Sequence, residues 1–315
     1  MTMDRQSSHL SKAESVAGRR ADTAVLPARR SAPVRILQTL AQSPVGVAGS
    51  LIVTVVVILA FIGPVISPHD PQGRNIRGRF QPPGYADSVG SYVLGNDQLG
   101  RDILSRIIAG SRVSVLVGVV SVLISGTIGV IYGLISGFVG GIIDSVLMRI
   151  VDGLLAIPFI ILVIAISGVV GAGLSTLILI LGFTGWITYA RVIRGEVLKV
   201  REMEYVIAAY ALGQSRRKVM LIHILPNVVS SAIVLAAVQV GVTILAESSL
   251  SFLGLGVKPP TVTWGLMLSD GRQYINSAWW MTAFPGIAIT ITVLGVVFLG
   301  DWLRDFLDPN VRGRA

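Results

Sequence analysis

Long apolar stretches are the feature that most limits how this chain folds. A helix needs about 20 mainly apolar residues to cross the hydrocarbon core of a bilayer. Six stretches approach or exceed this length: residues 45–66, 113–138, 146–170, 174–193, 228–245 and 281–299. Only 14% of all residues are charged, against about 25% in soluble domains. The sequence therefore predicts an all-α membrane protein with six transmembrane helices.

The apolar stretches also divide the chain into parts. Residues 1–43 are polar, without apolar periodicity, and predict a disordered tail. Residues 44–112 follow, as a first transmembrane helix and an extracytoplasmic segment. Residues 113–315 form a predicted five-helix core. Pro158 lies inside the third apolar stretch, where its missing amide hydrogen predicts a kinked helix.

Basic residues predict the orientation of the helices, because Lys and Arg concentrate in cytoplasmic loops. With the amino terminus inside, 18 of the 26 Lys and Arg residues fall on the inner side. We therefore expect both termini in the cytoplasm. The segment 204–227, between the fourth and fifth spans, is then also cytoplasmic.

Several functional classes find little support in the sequence. The net charge of +9 does not favour nucleic-acid binding, because the basic residues flank apolar segments instead of forming one face. The chain has no cysteine, and its three histidines (His9, His69 and His223) lie far apart, so we expect no metal site. A P-loop requires Gly-Lys-Ser/Thr, which is missing. We therefore expect no ATPase or other enzyme activity in this chain.

The middles of the spans are almost free of ionisable residues. A transporter driven by protons or ions usually keeps such residues within its spans. This argues against a secondary transporter that works without an ATPase, which we keep as the alternative function.

The cytoplasmic segment 204–227 has more structure than a simple loop needs. Val206, Ala209 and Gly213 fall on one helix face, which we expect to be open to a partner because its side chains are short. Gly213 is expected to bend the chain, and Pro226 suits the first turn of the next span. The sequence alone leaves two alternatives: a docking element, or an amphipathic loop on the membrane surface.

This segment resembles the EAA loop of the membrane subunits of ABC importers. That pattern is Glu-Ala-Ala, three residues, Gly, nine residues, then Ile-x-Leu-Pro. Ile207 stands here in place of the glutamate and His223 in place of the isoleucine. The matching positions are Ala208, Ala209, Gly213, Leu225 and Pro226.

The resemblance extends over about residues 44–310 and is to the "C" subunit of the dipeptide, oligopeptide and nickel permease group. It is carried by "LGNDQLGRDILSRIIAGSRVSV" at 94–115, with Asn96 where the group has Thr, and by "ESSLSFLGLGVKPPTVTWGLML" at 247–268. "FPG" and "LGDWLRDFLDP" near the carboxyl end also match.

The resemblance implies a type I ABC importer permease fold in the bacterial inner membrane. It implies transport of di- or oligopeptides or a related small solute. The expected partners are a second, homologous permease, two cytoplasmic ATPases and an extracytoplasmic binding protein. ATP and Mg would be used by the ATPases, with no cofactor on this chain. The residues implied for coupling to an ATPase are Glu204, Ala208, Ala209, Gly213, Arg216, Arg217 and Pro226.

Candidate residues also lie in the extracytoplasmic half. Asp97, Arg101 and Asp102 are expected to pair locally and shape an outer platform. Glu247 either faces the translocation path or braces the outer end of its helix, and the sequence leaves both open. Ser251 and Phe252, which are also possible residues of the translocation path or its gate, begin a glycine-rich stretch that we expect to cap the outer mouth. Trp279 and Trp280 are expected to be interfacial anchors.

Overall fold

The computed structural model describes residues 38–88 and 90–307. The first 37 residues of the predicted tail lie outside this range. The helices are α1 (Pro44–Ile66), α2 (Ile103–Val139), α3 (Gly141–Leu155), α4 (Phe159–Val170), α5 (Leu174–Arg201), α6 (Glu204–Ala211), α7 (Arg216–Val219), α8 (Leu225–Phe252), α9 (Trp264–Gly271) and α10 (Trp280–Leu307). A π-helical turn, Met220–Ile224, joins α7 to α8, so one helix of 37 residues runs from Arg216 to Phe252.

Five helices within the described residues are long and apolar enough to span a membrane, and a bent pair makes up to six. The bent pair differs from the prediction for the third span. We expected one kinked helix, but α3 and α4 meet at 82°, and Pro158 stands before the first residue of α4. Pro158 lacks an amide hydrogen and restricts the residue before it to extended conformations, so the helix stops and restarts.

α2 and α5 pack closely along each other. Gly129, Gly133 and Gly137 of α2 face α5, four residues apart. A Cβ at Gly133 would lie 2.6 Å from the carbonyl oxygen of Ala190. Small residues at this spacing let helix backbones approach in lipid. α2 begins at Ile103, so the predicted boundary at residue 112 falls inside this helix.

The segment between α1 and α2 is irregular and contains a small hairpin, β1 (Tyr85–Ala86) and β2 (Ser91–Tyr92). Asn75 anchors it, donating to Asp87 at 2.7 Å and to the Tyr92 hydroxyl at 3.2 Å. Gly100 has a φ of +72°, and any Cβ there would overlap the Asn75 carbonyl. Glycine is therefore needed for the chain to pass this point.

Two tryptophans join the carboxyl-terminal helices to this segment and to α2. The indole of Trp264 donates to the carbonyl of Ile107 at 2.9 Å, and that of Trp280 donates to the carbonyl of Asn96 at 3.1 Å. Trp280 is 6% exposed, while Trp279 is 54% exposed. Trp280 is therefore a buried structural residue and not the interfacial anchor that we expected.

Candidate functional site

A buried ionic cluster ties the segment between α1 and α2, called the outer segment after its predicted location, to α2 and α9. Asp97 binds Arg101 at 2.6 Å and also binds Arg106. Both guanidinium groups reach Asp270 at 3.2 Å. The predicted pairing of Asp97 with Arg101 is present. Arg106 and Asp270 were missed, because their pairing spans 164 residues and no local pattern connects them.

Asp102 stands apart from this cluster. Its side chain caps α2, accepting from the Ser105 amide at 3.0 Å and from the Ser105 hydroxyl at 2.6 Å. His69 Nδ1 lies 3.3 Å from the same carboxylate oxygen. The expected local pairing therefore holds for Asp97 and Arg101 but does not include Asp102. It acts as a helix cap, a role for which Asp is well suited.

Glu247 is fully buried in the carboxyl-terminal half of α8. Its carboxylate accepts hydrogen bonds from Ser251 at 2.8 Å and from Ser248 at 3.3 Å. Ser114 of α2 and Thr263, the residue before α9, lie near the same carboxyl group, although the Ser114 hydroxyl makes no hydrogen bond. Glu247 is thus buried where α8 meets α2 and the residue before α9, which favours the bracing alternative. Ser251 serves this contact and is itself buried.

A mostly apolar and widely open cavity of about 500 Å³ lies along the same part of α8. Phe252, a predicted path residue, is part of its wall. The lining residues are Leu245, Ser248, Ser249, Phe252, Leu253, Leu268, Gly286, Ile289 and Thr290. The cavity is bounded by α8, α9 and α10.

On the side of the chain away from this cavity, α6 packs one face inward. Val206 and Ala209 are 0% and 4% exposed and contact a core that includes Ile193 and Val197 of α5. The prediction that they face a partner is therefore wrong. The opposite face carries Glu204, Ala208 and Leu212, which are exposed. In this eight-residue helix apolar and aromatic residues occur on every side, so the sequence does not reveal which side is buried.

The bend after α6 forms as predicted. Gly213 has a φ of +79°, which glycine adopts without strain. The chain then enters α7, where Arg216 and Arg217 are exposed. Pro226 does lie in the first turn of α8, directly after the π-helical turn. A wider turn gives the proline ring room where a regular helix would bring it against a carbonyl.

Polar contacts hold the bend to the span that follows. His223 Nε2 lies 3.0 Å from the side-chain oxygen of Gln214. Asn227 donates to the hydroxyl of Tyr205 at 3.1 Å and to the carbonyl of His223 at 2.7 Å. Residues of α6, the bend and α8 therefore form one connected unit.

Comparison with known proteins identifies the family to which this chain belongs. Residues 129–313 match the family described as "Binding-protein-dependent transport system inner membrane component". Residues 34–83 match the "N-terminal TM domain of oligopeptide transport permease C". The chain belongs to this family of ABC importer permeases.

The permease is similar over most of its length to curated peptide permeases. It is 39% identical to the dipeptide transport system permease protein of Bacillus subtilis (strain 168), covering 87% of this chain and 84% of that protein. It is 38% identical to the oligopeptide transport system permease protein of the same organism, covering 84% and 85%. The glutathione transport system permease protein of Pectobacterium atrosepticum is 36% identical, covering 93% and 98%.

Family membership confirms several predictions for the permease. It is an inner-membrane component of an ABC importer, and it is not the catalytic part, because ATP hydrolysis belongs to separate subunits. The alternative of a secondary transporter is thereby excluded. Within the described residues, no group of three or more His, Cys, Asp or Glu residues is placed to hold a metal ion.

The permease also carries two ion pairs between α3 and α5, on the side of α5 that leads to α6. Arg194 binds Asp144 at 2.6 Å through Nε and again through Nη2. Asp144 also accepts from Ser136 of α2. Arg191 pairs with Asp152 at a more exposed position. These contacts join the broken span to the helix that precedes the predicted coupling segment.

Proposed function

We propose that this chain forms half of the translocation path of a peptide importer. The other half would be a second, homologous permease. Two cytoplasmic ATPases, which bind the ATP and Mg, drive the cycle, and an extracytoplasmic binding protein delivers the solute. The observation that carries the proposal is similarity to dipeptide, oligopeptide and glutathione permeases over more than four fifths of the chain. Both termini lie in the cytoplasm, in agreement with the distribution of Lys and Arg.

In this proposal the exposed face of α6 binds a groove of one ATPase. Ala208 is small, so a partner backbone can approach, and Leu212, which is 83% exposed, offers apolar surface at the edge. Glu204 lies on this face, and Arg216 and Arg217 follow in α7, so all three supply charges next to it. Val206 and Ala209 carry the movement inward, because they pack on α5 and on the start of α8. Pro226 marks where the segment enters the span.

The decisive experiment changes Gly213 to Asp in the assembled importer. At a φ of +79° Asp is strained and adds a charge, while no atom blocks the site. We expect normal membrane abundance, continued ATP hydrolysis and loss of dipeptide uptake. Gly84→Asp is the matched control, since Gly84 also has a positive φ and open space around it, but lies in the outer segment.

Two results would contradict the proposal. Dipeptide uptake at the wild-type rate in Gly213→Asp would remove the coupling role of this segment. A wild-type importer with all its subunits that hydrolyses ATP but carries no di- or oligopeptide would remove the peptide assignment. A nickel complex or an opine would then be tested as the solute.

A further inference from the structure

A cationic side chain contacts one wall residue of the cavity between α8, α9 and α10. Arg272 follows α9 directly. Its guanidinium carbon lies 5.4 Å from the centre of the Phe252 ring, and Phe252 lines the cavity. A guanidinium over an aromatic face is held by the ring quadrupole. The charge of Arg272 is therefore kept next to this wall residue.

Among the described residues, no carboxylate forms an ion pair with this charge. Asp270, two residues earlier, is already bound by Arg101 and Arg106 at 3.2 Å each. Across residues 38–88 and 90–307, no ion pair within 4.0 Å involves Arg272. The forked donors of an arginine bind a carboxylate through two parallel hydrogen bonds. Arg272 is thus free to bind a carboxylate from outside the chain.

The polar groups inside the cavity are arranged as acceptors. Ser249 donates its hydroxyl hydrogen to the carbonyl of Leu245 at 2.8 Å, and Thr290 donates to that of Gly286 at 2.9 Å. Ser248 donates to Glu247 at 3.3 Å. Each hydroxyl has one hydrogen and two lone pairs. With the hydrogens engaged, these oxygens remain open to N–H donors of a ligand.

We propose that this cavity is a transient binding site for a peptide crossing the permease. The apolar walls hold a side chain, Ser249 and Thr290 accept from peptide or amino N–H groups, and Arg272 binds the terminal carboxylate. The volume of about 500 Å³ lies within the range of about 300–1,000 Å³ for small-molecule sites. This inference rests on the proposed peptide function and adds the residues that select for a free carboxyl end.

A phospholipid is the competing occupant, because it also combines an anionic group with an apolar body. Its acyl chains carry no N–H donors, so the acceptors on Ser249 and Thr290 would stay unused. The combination of inner acceptors with an outer cation fits a small zwitterionic peptide better. The two occupants are separated in the experiment below.

The test uses the complete importer, with its second permease, ATPases and binding protein, in proteoliposomes. The probe is radiolabelled alanyl-benzoylphenylalanine, a dipeptide whose side chain crosslinks under light. In the wild type we expect uptake, and crosslinks at Phe252, Leu268 or Ile289. Arg272→Gln removes the charge, and we expect the crosslink yield and the uptake rate to fall about tenfold, since a hydrogen bond to a charged group is lost. Arg272→Lys should recover part of both, and Arg77→Gln, an exposed arginine of the outer segment, is the control.

A second variant fills the cavity without touching Arg272. A Cβ at Gly286 would have only the Leu268 Cδ2 atom nearby, at 3.8 Å, so Gly286→Leu extends into open space. We expect loss of the crosslinks and at least a fivefold fall in uptake, with normal assembly of the complex. Gly168→Leu is the matched control, because no atom lies within 4 Å of a Cβ at that position.

The outcomes distinguish a failure of the proposed cavity site from a failure of the proposed peptide function. If the wild type takes up the dipeptide and both variants crosslink and transport normally, the site is wrong and the peptide function stands. If the complete wild-type importer transports no peptide, the proposed function fails and this site fails with it. If a photoreactive phospholipid labels Phe252 while the dipeptide labels nothing in the cavity, the cavity is a lipid groove and the inference is overturned.

Discussion

Arg106 is the residue on which the outer segment most depends. Its side chain is 2% exposed and joins two carboxylates, Asp97 and Asp270, that otherwise lie on separate parts of the chain. Arg101 shares both carboxylates, so the charges of the four groups balance. A buried charge is tolerated when it is paired in this way and becomes costly when one partner is removed.

We therefore expect Arg106→Met to destabilise the folded protein by about 3 kcal/mol, because it leaves two acidic groups with a single cation. The measurement is the thermal unfolding midpoint of the purified protein in mild detergent. Arg77→Met, at an exposed position of the same segment, should change stability by less than about 0.5 kcal/mol. The double variant Arg106→Met with Asp270→Asn should regain part of the loss. An unchanged midpoint for Arg106→Met would contradict the structural role given to the cluster.

From the sequence alone, only part of the ionic cluster could be predicted. Asp97 and Arg101 are an i, i+4 pair, and local spacing suggested their contact. Asp102 lies among the same charged residues, but it directly precedes α2 and therefore caps this helix. Asp270 is 169 residues from Arg101, and a contact over such a distance depends on how helices pack, which one sequence does not reveal.

Among the helices, the contact of α2 with α5 is the one that depends most on small residues. Gly133→Leu should force the two helices apart, since even a Cβ would lie 2.6 Å from a backbone oxygen of α5. Overpacking of this kind costs about 1–3 kcal/mol. We expect a clear loss of correctly folded protein, measured as the monodisperse fraction of a fluorescent fusion in detergent. Gly153→Leu, at an open position of α3, should behave like the wild type. Equal yields for both variants would show that the close approach of α2 and α5 is dispensable.

The helices themselves were largely predictable, because apolar length decides whether a segment can span a bilayer. Three features were not. The local sequence at Pro158 is compatible with a kinked helix and with a broken one. Only the packing of α3 and α4 on their neighbours decides between the two. Helix ends that extend beyond the apolar stretches, such as the start of α2 at Ile103, contain polar residues. Hydropathy therefore does not predict where these helices begin and end. The buried face of α6 was assigned to the wrong side, because apolar and aromatic residues occur all round this short helix.

For the molecule as a whole, the proposed orientation gives a direct test. The chain has no cysteine, so single cysteines can be introduced without background. We expect Arg77→Cys to react with a membrane-impermeant maleimide in cells whose outer membrane is opened, because the proposed orientation places the segment before α2 outside the inner membrane. Arg217→Cys, beside the bend at Gly213, should react only after the inner membrane is permeabilised. The reverse pattern would place both termini outside and contradict the proposal.

The helix from Arg216 to Phe252 is unbroken over 37 residues, so it is about 55 Å long. One end adjoins the bend at Gly213, and the other forms part of the cavity wall. A rod of this kind acts as a lever: tilting it by about 5° around one end displaces the other by about 5 Å, given its length. Such a displacement is comparable to the width of a side chain. In the proposed orientation, a small rotation at the cytoplasmic end would therefore widen or close the opening beside Phe252, without any relay of side-chain rearrangements through the bilayer.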